Sequence, residues 1–252
     1  MIIFGVGTLY GVPLTDSAGA AIANPTPQQF GVLQEVQADL SFDEKTLYGA
    51  YQFPVAFGRG KGKFTFKAKA ADFSAKAIAS LFFGVNTTAG IRAITDNFSA
   101  AIPSTPFQVT IAPPSSGVFA TDLGVVYSST GIPLTRVASG PATGQYAVNT
   151  GTGVYTFAAA DTGITVLISY EYTATSTTQF QVPIANVLMG QAPSFLCELS
   201  VPYNGKQLSL KLNNCVSSKF TLPLKNEDFS IQEFDFMALA DASNNIGILS
   251  IK

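Results

Sequence analysis

The chain has 252 residues with 14 basic and 16 acidic side chains, a net charge of -2, and neither histidine nor tryptophan. That balance excludes the basic stripe of a nucleic-acid reader. The missing histidine excludes Ser-His-Asp and Cys-His nucleophile systems and most zinc sites. Hydrophobic residues make up 47% of the chain and charged residues only 12%, so a free monomer would be weakly protected, and much of the surface is expected to be covered by partners.

Residues 1–29 are rich in Gly, Ala, Pro and Thr and read as an extended arm with one strand near Gly7 to Val12. The apolar start, Met1 to Val6, has no basic lead. Neither it nor any later stretch is long enough to span a bilayer, so no membrane insertion is expected.

From Phe30 to Phe42 the chain alternates with period 2. Phe30, Val32, Gln34, Val36, Ala38, Leu40 and Phe42 take one face, and Glu35, Gln37, Asp39, Ser41 and Asp43 the other. A return strand is expected over Leu47 to Phe57, with the tip between Ser41 and about Ala50. Gly58, Gly60 and Gly62 then read as a mobile turn. A second alternating run, Lys61 to Ala70, sets Phe64, Phe66, Ala68 and Ala70 against Lys63, Thr65, Lys67 and Lys69. The period then becomes helical over Ser74 to Phe83, with Ser74 as N-cap and Gly84 just past the end. An amphipathic sheet followed by a short helix that covers its dry face is the expected core.

The texture changes near Ala100. From residue 104 to 179 the only charged residues are Asp122, Arg136, Asp161 and Glu171. Short strands alternate with Gly-rich turns, and NTGTG between GQYAV and GVYTF marks a hairpin. Residues 104–178 are expected to form an inserted β-sandwich, with a discontinuous core domain of residues 1–103 and 179–252. After it, PSFLCELSVPY, KQLSLKLNN and SKFTLPLKN read as strands, with Asn204-Gly205 as a two-residue turn. A bulge near Gln232-Glu233 would bring Phe229 and Ile231 into phase with Phe234 and Phe236. IGILSI closes the chain as a last apolar strand.

No Gly-rich phosphate loop is present, since neither GVGTLYG nor GRGKGK has the required spacing. Glu35 with Asp39, or Glu233 with Asp235, could form a carboxylate pair, but solvated strand faces carry such pairs routinely. No catalytic residue, cofactor site or metal site is assigned, and no enzyme activity is expected. Cys197 and Cys215 have no basic neighbour in sequence to lower their pKa and read as buried thiols.

An arm, a long hairpin (VLQEVQADLSFDEKTLYGAYQFPV), a Lys/Phe strand and a short helix (SAKAIASLFFG) together resemble the tail tube, or major tail, proteins of long-tailed bacteriophages, which share a fold with the type VI secretion tube protein. TGVYTF and ISYEY resemble the Ig-like modules common on phage tails. The resemblance implies a mainly β, tail-tube-like sandwich or barrel core with one short α-helix and an Ig-like insertion on the tube exterior. It implies a virion protein, assembled in the host cytoplasm, whose hexameric rings stack into a tube that conducts DNA without specific binding. Its partners would be further copies of itself, other tail proteins at the tube ends and a tape-measure protein in the lumen. Glu35, Gln37 and Asp39 would face the lumen. Phe42, Asp43, Glu44, Lys45, Leu47, Tyr48 and Tyr51 would reach the adjacent ring. The rival expectation is a secreted or surface β-sandwich module that recognises carbohydrate or protein.

Overall fold

The structure is a computed structural model that describes residue 2, residues 4–72 and residues 74–252. Met1 and Ile3 of the expected arm, and Phe73 before the helix, lie outside the described residues. The protein is mainly β, with one short helix and several sheets. It divides into two compact units, one formed by residues 1–87 and 182–252 and the other by residues 88–181.

Taken along the chain, the first unit supplies β1 (Thr8–Pro13), β2 (Gln28–Gln29), β3 (Leu33–Tyr48) and β4 (Pro54–Ala70). The second supplies β5 (Thr88–Ala89), β6 (Ile91–Ala101), β7 (Gln108–Thr110), β8 (Val118–Tyr127), β9 (Thr135–Arg136), β10 (Gln145–Asn149), β11 (Val154–Phe157), β12 (Thr165–Ala174) and β13 (Phe180–Gln181). The first unit is completed by β14 (Ser194–Tyr203), β15 (Lys206–Thr221), β16 (Gln232–Ala238) and β17 (Gly247–Ile251).

The first unit is built on an eight-stranded sheet in the order β2-β1-β14-β15-β16-β4-β3, with β17 also paired to β15. One face carries the core. Phe66 stacks on Phe236 with centroids 4.6 Å apart, and Phe30 meets Phe234 edge-on at 5.4 Å. Such offset and edge contacts suit the ring quadrupole. The helix packs over them as expected. Ser74 Oγ accepts from the Ala77 N–H at 3.2 Å, and Gly84 closes the far end in the left-handed region at φ 63°. Between these caps an α-helical turn, Ala75–Ala77, passes into a π-helical stretch, Ile78–Phe83, that buries Ile78, Ala79 and Leu81. Leu81 reaches the backbone of β1 because position 11 is glycine, where a Cβ would lie 2.5 Å from Leu81 Cδ1.

Several local expectations change in three dimensions. The hairpin is longer than its sequence indicates: β3 runs on to Tyr48, the turn occupies residues 49–53, and β4 is a single strand from Pro54. Ser41 to Tyr48 is therefore strand rather than tip. Gly58, Gly60 and Gly62 are not a turn but lie inside β4, where Gly62 pairs with Phe42. A Cβ at Gly62 would sit 2.9 Å from the Phe42 ring, whose centroid is 4.7 Å from Arg59 Cζ. The glycine thus makes room for an aromatic ring held by a cation. Near the root of β3 a bulge at Gln34 resets the alternation, so Phe30 and Leu33 are buried while Val32 is exposed.

KQLSLKLNN and SKFTLPLKN are largely one strand, β15, which begins after a hairpin turn with Asn204 and Gly205 both at positive φ (49° and 75°). The expected bulge at Gln232 is the start of β16 instead. Phe229 lies before it in a loop, 88% exposed.

The second unit is a two-sheet sandwich. A four-stranded sheet, β7-β11-β10-β9, and a three-stranded sheet, β6-β12-β8, enclose a core of Tyr146, Tyr155 and Phe157 against Val125, Ile168 and Tyr170. The unit starts at Thr88 rather than at residue 104, because β6 pairs along the length of β12. Its ends are tied together: β5 pairs with β13, Ala89 opposite Phe180. Inside, Asp122 accepts from the hydroxyls of Tyr146 (2.8 Å) and Tyr155 (2.9 Å) and lies 3.6 Å from Arg136. Burial, then the Asp122 carboxylate, pushes both phenols well above their ordinary range.

Candidate assembly surfaces

Alternation along a strand sends successive side chains to opposite faces, so each face of the first unit's sheet has its own chemistry. On the polar face the cross-strand register writes two rows. The first runs Glu35, Lys69, Glu233, Thr221 across β3, β4, β16 and β15; the second runs Gln37, Lys67, Asp235, Lys219. Glu198 on β14 stands opposite Lys211 on β15. Charge sign therefore alternates from strand to strand. Lys69 Nζ donates to Glu35 Oε2 at 2.6 Å, and this contact raises the Lys69 pKa. Asp39 accepts from Gln37 Nε2 at 2.8 Å. A cleft of about 210 Å³ lies among Glu35, Gln37, Lys67, Lys69, Lys219, Glu233 and Asp235. The structure thus places Glu35, Gln37 and Asp39 together on one face and adds lysines between the acids. The face is balanced rather than acidic, because β4 lies between β3 and β16 and sets its lysines opposite their acids.

The opposite face is dry only where the rest of the unit covers it. Along β3 the covering ends early: Val36 is half-buried, whereas Ala38, Leu40 and Phe42 are exposed. Beyond Phe42 the hairpin projects alone as a two-stranded arm. Six residues from Asp43 to Tyr48 at about 3.3 Å each give it a reach of roughly 20 Å. Thr46 pairs with Phe57, so Phe57 and Val55 return to the face of Leu40 and Phe42 beyond the Glu44 and Arg59 pair, with no layer over them. Leu47 and Tyr48 are 64% and 59% exposed, and Tyr51 and Phe53 are more than four-fifths exposed. Asp43, Glu44 and Lys45 form a charged block on β3 between Phe42 and Leu47. The structure brings Phe42, Asp43, Glu44, Lys45, Leu47, Tyr48 and Tyr51 onto this one arm. Phe53, Val55 and Phe57 fall in the expected return strand but were not singled out as assembly residues, because a partner layer over that strand was not visible in the sequence. Their period-2 spacing was the available signal.

Besides the short terminal strand β2, two edges are open among the described residues. β3 is the last strand on one side, and β17 pairs only with β15. Cys197 and Cys215 are free thiols buried in the core, and burial followed by contact with Cys215 raises the Cys197 pKa. Among the described residues no group of His, Cys, Asp and Glu could hold a metal ion. Comparison with protein-family models and with curated proteins gives no match.

Proposed function

We propose that this chain is a structural virion protein that self-assembles into stacked hexameric rings, forming the tail tube through which a long-tailed bacteriophage passes its DNA. The observation that carries the reading is the uncovered hairpin arm, where Leu40, Phe42, Val55 and Phe57 stay exposed on either side of the Glu44 and Arg59 pair. Monomeric soluble proteins rarely leave so many large apolar side chains clustered and exposed unless they form an interaction site. A long open edge beside it is a template for pairing with another chain. The resemblance of the arm, hairpin, Lys/Phe strand and helix to tail tube proteins supplies the identity of that partner, a further copy.

In this reading the arm reaches the adjacent ring, with Leu47 and Tyr48 as anchors and Asp43, Glu44 and Lys45 fixing register. The polar face lines the lumen. Its lysines are spaced among carboxylates, so few cations are free to bind phosphate by counterion release, and DNA slides past. Other tail proteins and a tape-measure protein are its remaining partners, and no catalysis is assigned. Electron microscopy of the purified protein, with sedimentation to count subunits, tests the proposal. Six-fold rings or hollow tubes are the expected result. A protein that stays monomeric up to high concentration overturns it.

A further inference from the structure

We infer that the open edge of β17 is the docking strip for the β3–β4 arm of a second copy of this chain. The inference rests on the self-assembly reading above and states which two surfaces meet.

β17 is an unusual edge. It continues the line of β16 along β15, set apart by the loop 239–246, in which Asp241 Oδ1 accepts from Ser243 and Asn245. β4 pairs with β16 as far as Phe64 opposite Ala238. It does not go on to pair with β17, which is bonded on one side only. The Ile246 carbonyl accepts from the Asn213 N–H, and the Lys252 N–H donates to the Gln207 carbonyl. Even-numbered residues therefore bond inward to β15, and Gly247, Leu249 and Ile251 turn their N–H and C=O groups outward. Leu249 and Ile251 stand opposite Leu210 and Leu208, on the core side of the sheet, yet they are 58% and 61% exposed. Edges left open in folded proteins are normally blunted by a charge, a proline or a bulge. The segment GILSI has none of these.

The arm is its complement in two respects. It brings exposed Leu47 on one face and Tyr48 on the other to an apolar edge, and its outer strand β3 has a free side along its length. Its acids, Asp43 and Glu44, match Lys206 and Lys252 at the far end of β17, which carry no ion pair among the described residues. Docking is then strand addition, with main-chain bonds giving affinity and side chains giving register. The strip and the arm are different surfaces, so the contact is head-to-tail and propagates into a ring or filament.

The test uses charge exchange in the full chain. Variant one carries Lys206→Glu and Lys252→Glu; variant two carries Asp43→Lys and Glu44→Lys. Each alone is expected to need an about tenfold or higher concentration to assemble, as like charges now face each other. An equimolar mixture is expected to recover assembly, because both contacts in it join opposite charges. Leu249→Pro removes one outward N–H while leaving the bonds to β15, and is expected to block assembly without lowering the melting temperature by more than a few degrees. Wild-type protein that does not associate at all would sink the tube reading and this inference together. Wild-type protein that assembles, beside single variants that assemble equally well or a mixture that fails, would overturn the inference and leave the tube reading standing.

Discussion

Replacing Leu47 with Asp and Tyr48 with Ser tests the arm directly. In the isolated subunit these side chains are 64% and 59% exposed, so about three-fifths of each remains to be buried by a partner. Full burial of a large apolar side chain is worth about 1.5–3 kcal/mol, so that share is about 1–2 kcal/mol for each. Losing both weakens every arm contact by about 2–4 kcal/mol, or roughly 30- to 1000-fold in its association constant. The introduced carboxylate adds a desolvation cost, which makes this a lower bound. The fold should be untouched, because the arm beyond Phe42 contributes nothing to the unit's core. Circular dichroism and thermal melting check that point, and light scattering with electron microscopy follows assembly. Folded rings or monomers that do not elongate are the expected outcome. Full-length tubes growing at the wild-type rate would refute the placement and move ring stacking to another surface.

Three further outcomes are expected. Removing residues 90–179 and joining Ala89 to Phe180 by a short Gly/Ser bridge should leave the first unit folded and able to assemble, since those ends are already antiparallel neighbours; insoluble or assembly-dead protein would show that the sandwich is part of the core machinery. Asp122→Ala should destabilise the second unit by about 2–6 kcal/mol, because two buried tyrosine hydroxyls lose their acceptor at about 1–3 kcal/mol each, and a separate unfolding transition in calorimetry reads the loss. Hydrogen bonds from Asn245 and then Asn213 hold the Asp241 carboxyl below its usual range. A depressed carboxylate stabilises above its unfolded pKa and loses that contribution as pH falls through the folded value. Amide exchange in residues 239–251 should therefore quicken selectively below about pH 4, and Asp241→Asn should remove the pH step; a flat profile in the wild type would count against it.

Much of the candidate site was legible because its signals are local. Period-2 runs marked β3 and β4, the switch to helical spacing between Ser74 and Gly84 marked the helix, and Asn204-Gly205 marked a hairpin whose two turn residues must take positive φ. The exposed arm residues Leu47, Tyr48 and Tyr51 could be named because an apolar stretch next to charges is visible in one dimension.

What the sequence could not decide was pairing, since register joins residues far apart and a slip of one exchanges the faces. Gly58, Gly60 and Gly62 favour a turn on local grounds, yet bonding to β3 and the Phe42 ring over Gly62 make them strand. β6 reads like its neighbours in the first unit and joins the second because β12 offers it a partner. Whether the lysines of β4 would meet Glu35 and its neighbours depended on that strand joining the same sheet, which its pairing with β3 and β16 decides. The alternating faces, which follow from residue chemistry alone, determined that the chain is a mainly β protein. Which surface remains open, the arm beyond Phe42 and the edge of β17, was decided by tertiary structure, because only there does it appear where the covering layer ends.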